Sequence, residues 1–458
     1  MTTVTQAATA SAKRLPPGPR GHWLTGVIAD FRRDPLAYVL SATRSYGDVV
    51  RLRFGPAESW LLNDPELIKR VLQENNKNYK RNDFLIRILK IVSDENLFTS
   101  NGDFWLRQRR LMQPAFHRQR IAGFGQIMVE QAQRAMERWE RLPPGQALKV
   151  DEVMIGIALG TVGRALFGVD LSEEASVFGP AFTTSAEYFN YRLNHLFYVP
   201  LFIPNRRNRR FKEAAHTVNA HIEALIQARR QSGEVKADLL SMLMEARDDE
   251  SGATMSDEQV RNEAGTMIFA GHETTGNTLT WAFYLLSQNP EAERKLHDEL
   301  ARVLGGRAPT ADDVPNLRYT RMIIDETLRL YPAAWAISRQ AICDDMLCDY
   351  SIRAGTGVLI SPYVTHRDPR WWENPEQFEP ERFMPERSAG RPPLAYVPFG
   401  AGPRMCIGNV FALTEATLVL ATVAQRYRLR LAPGYKVEPL PIFTLRVRGG
   451  LPMLISER

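Results

Sequence analysis

The chain has 458 residues, 44% of them apolar, enough to bury a sizeable core as one large domain or two. Its 58 basic and 52 acidic residues leave a net charge of +6, a mild excess that does not by itself imply nucleic acid and suits an acidic protein partner equally well. Three cysteines, Cys343, Cys348 and Cys406, are too few for a disulfide framework and point to a reducing cytoplasm.

The opening MTTVTQAATASAKRL is polar and small, with the apolar core of neither a signal peptide nor an anchor. Residues 1–14 are therefore expected to be a disordered tail and 15–458 a single folded domain, with LPPGP (15–19) as stiff punctuation between them. A β-rich part is expected over about 36–65, where DVVRLRF and SWLLN read as a strand pair around GPAE, and again over 331–400. Residues 102–330 read as mostly helical, with breaks near Gly168, VPLFIPN and SGEV. In DFWLRQRRLMQPAF, Trp105 and Arg109 are four apart on one helix face. That pair suits an anionic group such as a carboxylate, or else is a core tryptophan beside a solvated arginine; Arg107, Arg110, Arg118 and Arg120 add charge nearby. The apolar run LFYVPLFIP (196–204) carries two prolines and is far too short to span a bilayer.

Ser256 and Gln259 form a capping box, and Asn289-Pro290 begins the next helix. The long helix between them contains FAGHETTGNTLTWAF, where Gly271 and Gly276 each cost roughly 1 kcal/mol relative to alanine. Two readings stand: close packing at small residues with Glu273 and Thr274 on a solvated face, or a helix weakened where a planar ligand and a small molecule press on it. In the second, Glu273 and Thr274 are a proton-delivering acid and alcohol. Farther on, DETLRLYP places Glu326 and Arg329 three apart, and FEPERF places Arg382 in irregular chain. A carboxylate between two arginines would tie that chain to the helix, a scaffolding role. Prolines 332, 362, 369, 375, 380 and 385 end the helical period, GVLISPYV reads as a short strand, and NVFALTEATLVLATVAQRY (409–427) as a second helical run.

Ahead of that run lies PFGAGPRMCIG (398–408). Gly400, Gly402 and Gly408 match neither phosphate-loop spacing, and no lysine follows. No histidine is identified as a nucleophile's base, and Cys343, Cys348, His216 and His221 are poorly spaced for zinc. What remains is one thiolate beside a helix N-terminus that lowers its pKa, glycines that keep side chains away from a large flat group, and Arg404 as a spare cation. This describes a single-thiolate metal–macrocycle site.

On these residues the sequence resembles a cytochrome P450, a haem-thiolate monooxygenase, from LPPGP to the end. Trp105 to Arg109 match W-x-x-x-R, residues 270–275 the oxygen-binding AGHETT, Glu326 to Arg329 E-x-x-R, and Phe399 to Gly408 F-G-x-G-x-R-x-C-x-G. The resemblance implies a mainly α fold with a smaller β-rich part: a triangular prism with haem between a long distal helix and the proximal helix of the cysteine loop. It implies Cys406 as axial ligand of the haem iron, Phe399 beside the sulfur, Gly400 and Gly408 leaving room for the porphyrin, and Trp105, Arg109, Arg339 and Arg404 on the propionates. Ala270 and Gly271 would open the distal groove, Thr274 assisted by Glu273 would route protons so that the O–O bond breaks heterolytically, and Glu326, Arg329 and Arg382 would form a structural triad.

The implied cofactors are haem b, O2 as co-substrate, and electrons from NAD(P)H through a separate ferredoxin or flavodoxin with its reductase. The short stretch after Cys406 leaves no room for a fused flavin reductase. Arg107, Arg110, Arg118 and Arg120, with the loop before Cys406, would be the docking face for that carrier. A cytoplasmic monomer with no membrane anchor and no nucleic acid is expected. Phe84, Leu85, Met267, Ala270, Ala334, Ala336 and Phe443 would line an apolar pocket for a fatty acid, terpenoid or steroid-like substrate, which would be hydroxylated or epoxidised. Alternatives are a peroxide-using haem-thiolate peroxygenase or isomerase, which needs no Glu273–Thr274 relay, and a haem-binding sensor without turnover.

Overall fold

The computed structural model describes residues 14–458 except 142, 144, 173–174, 196–197, 237, 248–251 and 253; the expected N-terminal tail up to residue 13 lies outside the described residues. Asp34 accepts a hydrogen bond from the Ala37 N–H at 3.0 Å and Pro35 occupies the first helical position, so Pro35–Tyr46 (α1) is a helix. Residues 36–46 thus depart from the expected β-rich span, because a capped start and a pre-set proline φ outweigh the valine and tyrosines within it. Val49–Phe54 (β1) and Ala57–Leu62 (β2) follow as an antiparallel pair closed by Gly55-Pro56, with Phe54 opposite Ala57. Tyr79–Lys80 (β3), Ile337–Ala341 (β4) and Gly357–Ile360 (β5) complete a sheet in the order β1-β2-β5-β4-β3, in which only β2 and β5 run parallel. The SPYV half of GVLISPYV turns helical over Pro362–Thr365, since Pro362 sits at a helix start.

Helices dominate the remainder: Asp83–Ser93 (α2), Gly102–Met112 (α3), Val150–Phe167 (α4), Ala175–Asn194 (α5), Arg206–Ser232 (α6), Asp257–Gln288 (α7), Arg318–Leu330 (α8) and Asn409–Arg426 (α9). Gly168 and Gly233, at φ 67° and 62°, end α4 and α6. A hairpin of Pro439–Pro441 (β6) and Leu445–Val447 (β7) lies near the C-terminus. No helix among the described residues is long and apolar enough to cross a membrane.

The capped helix α7 runs between two hydrophobic clusters, giving Val260, Ala264 and Ile268 to one and Leu279, Trp281, Phe283 and Leu286 to the other. Its costly glycines are explained by α4. A Cβ on Gly271 would lie 2.6 Å from Val162 Cγ2, and one on Gly276 would lie 2.8 Å from the Ile155 Cα. The lost helix propensity is offset by close helix approach.

Glu326, Arg329 and Arg382 are brought together in full burial. Arg329 donates to the Glu326 carboxylate through Nε (2.7 Å) and an Nη (2.8 Å), and Arg382 Nε reaches it at 3.3 Å. Arg329 also donates to the carbonyls of His366, Pro375 and Gln377, and Arg382 to those of Glu373 and Asn374; Arg382 further pairs with the Glu379 carboxylate at 3.1 Å. One carboxylate therefore fixes the chain between residues 366 and 382, which has almost no secondary structure of its own. Truncating Glu326 strands the buried Arg329 cation and leaves Arg382 only its 3.1 Å pair with the half-buried Glu379, so Glu326→Ala should lower unfolding free energy by about 3–5 kcal/mol, with Glu326→Gln milder, as measured by urea denaturation.

Candidate functional site

Residues 397–408 form a loop that leads into α9. Gly400 and Gly402 adopt φ 69°, and a Cβ on Gly402 would sit 1.8 Å from the Leu72 carbonyl oxygen, so no other residue fits there. On Gly400 and Gly408 an added Cβ would meet nothing nearer than 3.9 Å and 3.8 Å, leaving these positions open toward the site. The Cys406 N–H donates to the Phe399 carbonyl at 2.9 Å, while the Phe399 ring packs against the core cluster of α8 and α9. Cys406 carries accessible surface, yet protein surrounds it closely enough for burial to push its thiol pKa up. The combination marks a group lining an internal space. The helix-terminal lowering expected from sequence is present, through the Gly408 N–H and the Arg109 charge, but burial outweighs it.

A set of cations faces the same space. Burial lowers the pKa of Arg339 and Arg404 to about 10 each, and that of Arg81 well below the usual arginine range, with Arg339 and Arg404 repelling it further. None of the three forms an ion pair with a carboxylate among the described residues. Arg404 donates to the Ser100 carbonyl (3.1 Å) and Asn101 Oδ1 (3.0 Å) and stacks 4.1 Å above Trp105; Arg81 lies 4.2 Å over Phe98. Three desolvated like charges are costly without an anion. A sulfur ligand, a glycine-lined loop and three cations fit a large flat group with two carboxylates, as haem is. Arg109 is placed differently: its guanidinium donates to the Met405 carbonyl at 2.8 Å and props the cysteine loop. Arg81 carries no motif in YKRND; only the sheet brings it to Arg339, since β3 just before it pairs with β4.

On α7, buried for most of its length, Ala270 is exposed and Thr274, one turn on, is partly so; these two face the internal space. The Thr274 hydroxyl donates to the Ala270 carbonyl at 2.8 Å. Gly271, expected to open this groove, instead directs its missing side chain at Val162, where its smallness serves packing. Glu273 is buried and held from the C-terminal hairpin: Arg446 lies 2.8 Å from its Oε2 and donates to Oε1 at 2.9 Å, and the Thr444 hydroxyl donates to Oε1. Beneath them Glu415 on α9 is wholly buried beside Thr161 and Thr275, and burial pushes its carboxyl far up. A separate acid, Glu263, accepts from the Leu97 N–H at 2.8 Å and is raised by burial to about 8, which fastens the loop after α2 to α7.

The pocket wall is apolar. Phe443, in the β6–β7 turn, is a hub whose ring centroid lies 5.7 Å from Phe98, 5.4 Å from Phe189 and 5.3 Å from Phe269. Leu85, Ile88 and Leu89 of α2 pack with Phe189, Phe98 and Phe443, and Met267 is buried on the α7 side. Phe84 is half exposed in the first turn of α2, whose Phe84 and Leu85 N–H groups are capped by the Asn82 side chain. Ala334 has accessible surface and Ala336 is half buried, and Trp335 between them donates to the Ile442 carbonyl at 3.0 Å. Phe98, Phe189 and Phe269 escape a sequence reading because they come from three separate elements. Arg118 and Arg120 are exposed on the short helix Arg118–Gly123 and Arg110 on α3, whereas Arg107 is half buried beside Phe104.

The Cytochrome P450 family model matches residues 16–451. The chain is 37% identical over 450 residues to cyclooctatin synthase of Streptomyces melanosporofaciens, covering 96% of this chain and 95% of that one. It is 35% identical to cyclooctat-9-en-7-ol 5-monooxygenase of the same organism over 93% and 92% of the two chains. To pentalenene oxygenase of Streptomyces avermitilis it is 33% identical over 90% and 91%. With the mainly α fold, the cysteine loop and its cations in place, the chain belongs to the cytochrome P450 family and is a monooxygenase that works with haem iron, O2 and electrons from redox partners.

Proposed function

We propose that this enzyme hydroxylates or epoxidises a cyclic terpenoid, using haem b that Cys406 would hold through its sulfur and Arg81, Arg339 and Arg404 through its propionates. The observation that carries the substrate class is the wall around Phe443. Four aromatic rings and three aliphatic side chains of α2 offer area for burying a rigid hydrocarbon. The relatives named for cyclooctat-9-en-7-ol and pentalenene support a cyclic terpenoid over a fatty acid.

Bound there, the haem supplies the oxygen-activating redox chemistry. The chain's own residues supply the rest. Gly400 and Gly408 admit the macrocycle, Phe399 packs beside the sulfur, and Trp105 and Arg109 brace the loop through Arg404 and Met405. Ala270 leaves a gap on α7 opposite them. Rotation of Thr274 about χ1 turns its hydroxyl from the Ala270 carbonyl to the cavity. Glu273, one residue earlier, would take up a proton from solvent when its contact with Arg446 opens and pass it on to replace the one the Thr274 hydroxyl gives up. NAD(P)H supplies the electrons through a ferredoxin or flavodoxin that docks at Arg107, Arg110, Arg118 and Arg120.

Optical titration of the purified holoprotein should show a low- to high-spin shift with cyclic terpenoids at concentrations where fatty acids and steroids give none; a response only to fatty acids overturns the substrate class. Cys406→His should abolish the thiolate signature in the carbon monoxide difference spectrum. Thr274→Ala should turn most NAD(P)H consumption from product to hydrogen peroxide, and retained coupling would exclude the relay. Reversing Arg118 and Arg120 to glutamate should raise the apparent carrier KM about tenfold at low ionic strength, with the difference shrinking as salt is added.

A further inference from the structure

The loop 94–101, between α2 and α3, carries its own hydrogen-bond scaffold. The Phe98 and Thr99 N–H groups donate to Asn96 Oδ1 at 2.8 Å and 3.0 Å, and the Asn96 N–H to the Thr99 hydroxyl at 3.0 Å. The Thr99 hydroxyl donates to the Asp94 carbonyl at 2.6 Å, and the Ser100 hydroxyl to the Asn96 carbonyl at 2.7 Å. Leu97 takes no part: its N–H leaves the loop and donates to Glu263 Oε1 on α7 at 2.8 Å. The loop is thus a small preformed block, and what it is fastened to decides where it lies. Two features of the site ride on that block. The Phe98 ring lies 5.7 Å from Phe443 in the pocket wall, with the Arg81 guanidinium 4.2 Å over it. At the far end the Ser100 carbonyl and Asn101 Oδ1 accept from Arg404 at 3.1 Å and 3.0 Å.

Glu263, Met267, Ala270 and Thr274 recur at helical spacing along one face of α7, so the acid stands on the stripe that carries the pocket threonine. It is 1% exposed, and its Oε2 has no hydrogen-bond partner among the described residues. Its loop partner Leu97 and its α7 neighbours Val260, Ala264 and Met267 all belong to one hydrophobic cluster. The charged groups on the elements packed about it are engaged with one another. Arg261 lies 2.8 Å from Glu223 of α6 and 3.8 Å from Asp94, and Lys90 of α2 lies 2.7 Å from Glu95. His221 of α6 bonds the Thr217 carbonyl, and Glu245, on the helix Leu239–Glu245, is exposed. Burial is accordingly the one force against the charge of Glu263, raising its carboxyl from the ordinary 4.5 to about 8, and the Leu97 N–H alone opposes it. A glutamine would hold the same N–H without titrating. The carboxyl adds a charge that its surroundings have no means to keep.

We propose that Glu263 is a positioning residue that clamps the 94–101 loop to α7, setting Phe98 in the pocket wall and the seat of Arg404, and that this clamp loosens as pH rises. With the loop closed the carboxyl is neutral; with the loop swung away it meets water and returns to the ordinary carboxylate range. Opening therefore releases a proton. It is disfavoured in acid, becomes easier from about pH 5 upward, and changes no further above about pH 8. The link to Arg404 rests on the reading of that arginine as a haem-holding cation, whereas the clamp itself does not.

Hydrogen exchange of the holoprotein tests this without turnover, read by mass spectrometry on peptides covering 94–101 and corrected for the intrinsic rate at each pH. Protection of the Leu97 segment should fall at least about tenfold between pH 5.5 and 8 and then level off. Glu263→Gln keeps the acceptor and loses the titration, so its protection should stay constant over the same range. Glu263→Leu removes the acceptor and should leave protection about tenfold lower at pH 6. Parent protection that does not change with pH, or a Glu263→Gln protein that loses it as the parent does, overturns the proposal. At pH 6, haem transfer to apomyoglobin should also run about tenfold faster from Glu263→Leu than from the parent or Glu263→Gln. An unchanged transfer rate with the loop loosened would defeat the link to Arg404 and leave the clamp standing.

Discussion

A single carboxylate holds the reactive loop in register. Glu326 fixes Arg329; Arg329 donates to the His366 carbonyl; and the His366 Nε2 accepts the Val397 N–H at 2.8 Å, two residues before Phe399. His366 can accept because it is neutral, its pKa pushed to about 3 by burial and by the nearby charges of Arg329 and Arg367. Trp372 adds a bond to the Ala395 carbonyl at 3.3 Å. The chain leading to Cys406 is irregular and short of backbone partners, so its position derives from this relay of buried polar contacts to α8. Buried ion pairs contribute modest net stability, but they specify geometry where no helix or strand does so.

Against that fixed loop the opposite wall is set by close packing. Gly271 and Gly276 let α7 press on α4, which brings Ala270 and Thr274 to the internal space and sends Glu273 to Arg446 and Thr444. The C-terminal hairpin consequently has two functions. Its turn contributes Phe443 to the pocket wall, and its next residues hold the acid adjacent to the pocket threonine. Occupation of the pocket and restraint of that acid therefore bear on one short piece of chain. The three arginines around the cysteine loop balance the picture electrostatically, since they make the site demand an anion before it can be stable.

The site was legible where local chemistry is short-range and specific. The cysteine among glycines, the capping box at Ser256 and the Glu326–Arg329 spacing all read directly, because each depends on neighbours within one turn or one loop. The reading fell short where a residue acts through a distant partner. Arg81 has no motif, and reaches Arg339 only by sheet pairing; Phe98, Phe189 and Phe269 converge on Phe443 from three elements. Gly271 carried the expected residue type, but its side-chain direction faces Val162 of a neighbouring helix. Residues 36–46 were assigned by composition to the strand-rich part, and the Asp34-Pro35 start made them helical.

The amino-acid order alone determined the helical class, the cysteine loop and the family, since hydrophobic period, caps and the spacing of Cys406 with its glycines are properties of contiguous chain. Only the tertiary structure decided which cations lose their water and which aromatic rings share a pocket. Desolvation and accessibility are set by everything that packs around a group, and that packing is contributed by segments scattered over the whole chain.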